Sequence, residues 1–85
     1  MDLKVREALV RLHSLRGDFA RHHGGLQTAR SEYEAAISAA DLLLKKRPHD
    51  RGYRLLVAAA HDGLGDALEQ VTDLESARQH YEEAL

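Results

Sequence analysis

Residues Leu64–Leu85, LGDALEQVTDLESARQHYEEAL, are a second version of a stretch that occurs earlier in the chain. Displacing the sequence against itself by 48 positions lays residues 1–37 on residues 49–85. Identities then stand at Asp2/Asp50, Arg6/Arg54, His13/His61, Gly17/Gly65, Asp18/Asp66, Leu26/Leu74, Ala29/Ala77, Arg30/Arg78, Tyr33/Tyr81, Glu34/Glu82 and Ala36/Ala84. Eight of these eleven pairs fall between Gly17 and Ala36, so the similarity belongs to one structural unit and is not compositional. A fixed period of this size marks a repeat architecture. The chain reads as one domain of two units, 1–48 and 49–85, the second shortened at its end.

Within the unit, His61-x2-Leu64-Gly65-x2-Leu68 is followed by Ala77-x3-Tyr81, and His13-x2-Arg16-Gly17-x2-Ala20 by Ala29-x3-Tyr33, with Pro48 closing the first copy. This spacing resembles the tetratricopeptide repeat (TPR), whose pattern is large-x2-Leu-Gly-x2-large, then Ala-x3-aromatic. The resemblance covers nearly the whole chain. His13 and His61 stand where the family favours Trp, and Arg16 and Ala20 depart from the pattern in the first copy. The period of 48 also exceeds the usual 34. About seven extra residues fall on each side of Pro48; seven residues are about two helical turns and leave a buried stripe facing almost the same way. The reading is a variant with longer helices.

The resulting expectation is an all-α fold of four antiparallel helices in two TPR-like pairs, a short right-handed solenoid or a compact bundle. The first helix runs from about Asp2 to His22, capped by Asp2 and ended by Gly24-Gly25. Val5, Leu9, Leu12 and Leu15, with Ala8 and Phe19 on the neighbouring ridge, form its apolar stripe. The second spans about Leu26 to Lys46 and buries Leu26, Ala29, Tyr33, Ala36/Ile37, Ala40 and Leu43/Leu44; its alanines admit a close partner. Lys45, Lys46 and Arg47 suit its carbonyl end, and Pro48 stops it. A third helix, capped by Asp50, is expected to reach about Gln70 and to bury Tyr53, Val57, Ala60, Leu64, Leu68 and Val71. After Thr72-Asp73 a fourth begins near Leu74 and buries Leu74, Ala77, Tyr81 and Ala84/Leu85. Gly17 and Gly65 are expected to make equivalent close contacts with Tyr33 and Tyr81, whereas Gly63 has no counterpart and could kink its helix.

Composition narrows the function. With 31% charged and 44% hydrophobic residues the chain has the make-up of a soluble domain, and a net charge of −2 does not point to nucleic acid. There is no cysteine, so thiol chemistry and disulfides are excluded. No apolar run approaches the length of a membrane span, and MDLKVREALV lacks the apolar core of a secretory signal, which makes the cytoplasm the expected compartment. Six histidines raise a metal or haem bundle, but no pair stands at i, i+4 and no HExxH occurs, so no metal or other cofactor is expected. His13 and His61 read instead as half-buried packing residues. Gly63-Leu64-Gly65 lacks the strand, third glycine and Lys-Ser/Thr of a phosphate loop, and no nucleophile, base and orienting group stand at recognisable spacing.

What remains is a surface. In TPR domains the inner face of the first helix of each unit binds an extended peptide or a partner helix, and the resemblance implies the same here. The corresponding rows are Arg11, Ser14, Asp18, Arg21 and His22 in the first unit, and Asp62, Asp66, Glu69 and Gln70 with Ala59 in the second. The acidic second row implies a basic ligand. The reading is a non-catalytic protein-interaction module. Its alternative is a homo-oligomerisation domain, with a homodimer expected because the shortened last helix would leave apolar surface on Leu42–Leu44 and on itself uncovered.

Overall fold

The structure is a computed structural model and describes residues 2–84, the side chain of Ala84 excepted. Three helices follow one another: α1 (Leu3–His22), α2 (Leu26–Lys46) and α3 (Arg51–Ala84). Asp2 caps α1, its Oδ1 accepting the Lys4 amide at 2.9 Å. Gly24 ends the turn after α1 with φ +79°, a conformation that costs glycine little, while the amides of His23 and Gly25 close on the Ala20 carbonyl. Lys45 and Lys46 occupy the last turn of α2. Asp50 caps α3 by accepting the Tyr53 amide at 3.0 Å.

The expected fourth helix does not form; α3 runs unbroken for 34 residues through Thr72 and Asp73. In the repeat these two occupy the positions of Gly24 and Gly25. Gly24 is the one with positive φ, and its counterpart Thr72 is β-branched and does not enter that conformation cheaply; Thr72 is held in the helix, its Oγ1 donating to the Leu68 carbonyl at 3.1 Å. Without a left-handed residue the chain has no reason to turn. The second unit therefore makes no hairpin of its own, and α3 carries the molecule to a length of 56 Å.

The core lies on α2, which packs against both other helices. Its expected stripe is the observed one: Ala29, Tyr33, Ala36, Ala40 and Leu43 are buried, with Leu26, Ile37 and Leu44 half-buried. One cluster joins Val10, Ala36, Ala40, Leu43, Tyr53 and Ala60; a second joins Ala20, Ala29, Tyr33 and Ala67. Leu43 is thus covered by the start of α3 and Leu44 is half-buried, whereas Leu42 is 43% exposed, so the α2 end that the truncated fourth helix implied to be bare is covered except at Leu42.

Two further expectations change. From Leu74 onward α3 overhangs the α1–α2 pair, so Leu74 is 62% and Tyr81 75% exposed; Leu85 lies outside the described residues. Leu68 is also exposed, leaving Tyr53, Ala60, Gly63 and Ala67 as the buried face of α3. On α1 the buried residues are Val10, Gly17 and Ala20, whereas Val5, Leu12, Leu15 and Phe19 face solvent. The physical reason is space: the Tyr33 ring lies where only glycine fits, so α1 presents its small residues to α2 and turns its large ridge away. Among the described residues, no helix is long and apolar enough to cross a membrane.

Candidate partner-binding face

Tyr33 organises the middle of the molecule. Its ring lies between Gly17 of α1 and Gly63 of α3: a Cβ built on Gly17 would stand 2.7 Å from Cε1, and one on Gly63 would stand 2.6 Å from Cζ. Gly65, the expected partner of a tyrosine, has nothing within 4 Å of a Cβ position. The glycine that looked like a kink site is the contact, and its repeat-mate is Leu15.

The Tyr33 hydroxyl emerges between α1 and α3. It donates to Asp18 Oδ1 and accepts from Arg21 Nε at 3.2 Å. Arg21 also lies 3.9 Å from Asp18 and reaches across to Asp66 Oδ2 at 3.8 Å, so one guanidinium ties α1 to α3 over the ring of α2. Burial, then the hydrogen bond to the Asp18 carboxylate, holds the phenol above its ordinary range. The Arg21 guanidinium is pushed up chiefly by its hydrogen bond to Tyr33, with Asp66 and Asp18 adding to it.

Of the first row, Ser14, Asp18 and Arg21 are half-buried on the side of α1 that includes this bridge, while Arg11 is exposed and paired with Glu7 at 3.0 Å and His22 is exposed. Of the second row, Asp62, Asp66, Glu69 and Gln70 are all exposed on α3. The structure brings Asp18, Arg21 and Asp66 together; Arg11 and His22 stand apart from them. Gln70 joins Arg21, Gly24, Leu26, Asp73 and Leu74 around an open hollow of about 300 Å³. Asp66 therefore has a cation of its own, which the sequence rows did not indicate, since Arg21 lies 45 positions away.

His13 is half-buried as expected and sets Nδ1 2.7 Å from Glu32 Oε2, linking α1 to α2. His61 is exposed instead, because its face of α3 meets neither neighbour. Among the described residues no three His, Asp or Glu side chains come together in a cluster that could hold a metal ion.

The sequence matches no known protein family, no curated protein and no solved structure.

Proposed function

We propose that this chain is a non-catalytic protein-interaction module with a TPR-like repeat in its sequence, working in the cytoplasm and recognising a peptide or partner helix. The observation that carries this reading is the two-helix face formed where Arg21 bridges α1 to Asp66 of α3 over Tyr33. Such a bridge fixes the spacing of two helices and so pre-organises a surface before a ligand arrives, which lowers the ordering cost of binding. The 48-residue repeat and the seating of Tyr33 on Gly17 support the TPR-like reading. Asp62 and Glu69, exposed beside Asp66, give the face an acidic rim suited to a basic ligand. Because Arg21 already accompanies Asp66, Asp62 and Glu69 are the carboxylates assigned to the ligand. A fluorescent lysine-rich peptide should bind, weaken as salt rises, and lose affinity on the double change Asp62→Asn, Glu69→Gln. Binding that ignores both would end this reading.

A second reading, homo-oligomerisation, is favoured by the exposed apolar side chains on α1 and on the α3 overhang. Large apolar side chains exposed together along one helix face are a feature of interaction surfaces.

A further inference from the structure

The repeat relates two bare surfaces to one buried contact. Within the chain, α2 meets α3 through Tyr33 on Gly63 and through the cluster that holds Ala29 with Ala67. Displaced by 48 positions, the α3 side of that contact becomes the ridge of α1: Tyr53, Ala60, Gly63 and Ala67 correspond to Val5, Leu12, Leu15 and Phe19. Displaced the other way, the α2 side becomes the overhang: Leu26, Ala29 and Tyr33 correspond to Leu74, Ala77 and Tyr81. The residues of the original contact are buried or half-buried, whereas their counterparts Val5, Leu12, Leu15, Phe19, Leu74 and Tyr81 are exposed, from 43% at Leu12 to 75% at Tyr81. Each bare surface is thus the repeat-mate of one side of a contact that is buried within the chain, with larger side chains on the ridge.

We propose that the α3 overhang of one copy docks on the α1 ridge of a second copy, so that the chain associates head to tail. The proposal rests on the self-association reading above and names its surfaces. Tyr81 and Ala77 of one copy then meet the Leu15 and Phe19 ridge of the next; Leu15 stands where the buried contact has Gly63, so these two helices lie farther apart than α2 and α3 do. Charge agrees. Helix α1 carries five basic and two acidic side chains, a formal +3, whereas residues 72–84 carry four acidic and one basic, a formal −3. Pairing α1 with α1 of another copy would instead set two +3 helices side by side, so the heterologous contact is the favoured one.

The straight run of α3 through Thr72 and Asp73 is what makes the contact reach another molecule. Folding back at those residues would return the overhang to its own helix; continuing, it projects about 18 Å beyond residue 72. A contact of about three helical turns is below the roughly 1,200 Å² of a standard stable interface, so the association dissociates on dilution. Because its two surfaces differ, it closes into a ring or reciprocal dimer, or extends, as the rotation between copies dictates.

The test uses two full-length variants, Leu15→Glu with Phe19→Glu on the ridge and Ala77→Glu with Tyr81→Glu on the overhang. All but Ala77 are more than 60% exposed, and Ala77 is itself exposed, so both variants should retain wild-type helicity by circular dichroism. In sedimentation equilibrium the wild type should exceed the 9.5 kDa monomer mass as concentration rises, and each variant alone should remain monomeric. An equimolar mixture should regain a 1:1 complex, since one variant keeps its overhang and the other its ridge. A wild type that stays monomeric up to about 1 mM, ample for contacts in this size class, overturns both the proposal and the self-association reading. A wild type that associates while the overhang variant associates equally well overturns the proposal alone and points to pairing through α1. Two monomeric variants that fail to combine on mixing also overturn it, since they share no complementary surface.

Discussion

Gly63, in the middle of α3, lies against the ring of Tyr33 so closely that a methyl group there would stand 2.6 Å from Cζ. Gly17 approaches the same ring as closely, and one aromatic residue thereby sets the approach of all three helices. Gly63→Ala forces the ring or a helix to shift. Overpacking of this kind costs about 1–3 kcal/mol, more than the ~1 kcal/mol that alanine contributes to helix propensity. Gly65→Ala meets nothing within 4 Å and should stabilise by up to about 1 kcal/mol. Urea denaturation of the two variants should therefore move in opposite directions. Equal shifts would show that the ring does not select Gly63.

The two tyrosines that the repeat makes equivalent should behave unlike one another. Tyr33→Ala removes a side chain that is 1% exposed and should cost about 3–5 kcal/mol, a large share of the stability of so small a domain. Tyr81→Ala, at 75% exposure, should stay within about 0.5 kcal/mol of wild type when measured on dilute monomer. A Tyr81→Ala monomer that melts as early as Tyr33→Ala would require a folded-back fourth helix.

The hydroxyl of Tyr33 makes stability depend on alkaline pH. Its pKa is raised in the folded protein above the ordinary value of 10.0, so the folded state holds its proton more tightly than the unfolded chain does. That contribution is fully present below pH 10 and is lost as pH rises through the folded value. Tyr33→Phe gives up a hydrogen bond to a carboxylate and another from a guanidinium, and should be less stable than wild type at pH 7 by about 1.5–3 kcal/mol. The gap should shrink above pH 10. Denaturation curves of both proteins at pH 7 and at pH 11 provide the comparison, and a constant gap would count against the buried phenol as its cause.

Thr72→Pro probes the overhang. Proline removes the amide that a continuing helix needs and clashes with the carbonyl four residues back. Among the described residues, those beyond Thr72 pack on no core cluster, so the variant should lose helical circular dichroism from the last turns of α3 while the unfolding midpoint of the remainder changes little. A midpoint that falls with the helicity would mean that the overhang is part of the cooperative core.

Local chemistry made much of this structure legible. Asp2 and Asp50 cap helices because a carboxylate one residue ahead of a helix meets free amides, wherever the rest of the chain lies. Gly24 turns because it alone tolerates its φ, and the buried stripe of α2 follows from its single apolar face. The repeat identified Tyr33 and Gly17 as a pair by the same logic.

What the sequence could not decide was every choice between two locally acceptable answers. Thr72-Asp73 can end a helix or lie within one, and only the absence of a left-handed residue there, against Gly24-Gly25, separates the units. Helix α1 has apolar residues on two faces, and which one is buried depends on the volume left by the Tyr33 ring, a quantity contributed by another helix. The meeting of Arg21 with Asp66 has the same origin, since α1 and α3 face one another only after both have packed on α2. Helix caps and periodicity act within a few residues and are written in order along the chain. The face a helix buries is set by steric fit across the core, and only the assembled tertiary structure contains that information.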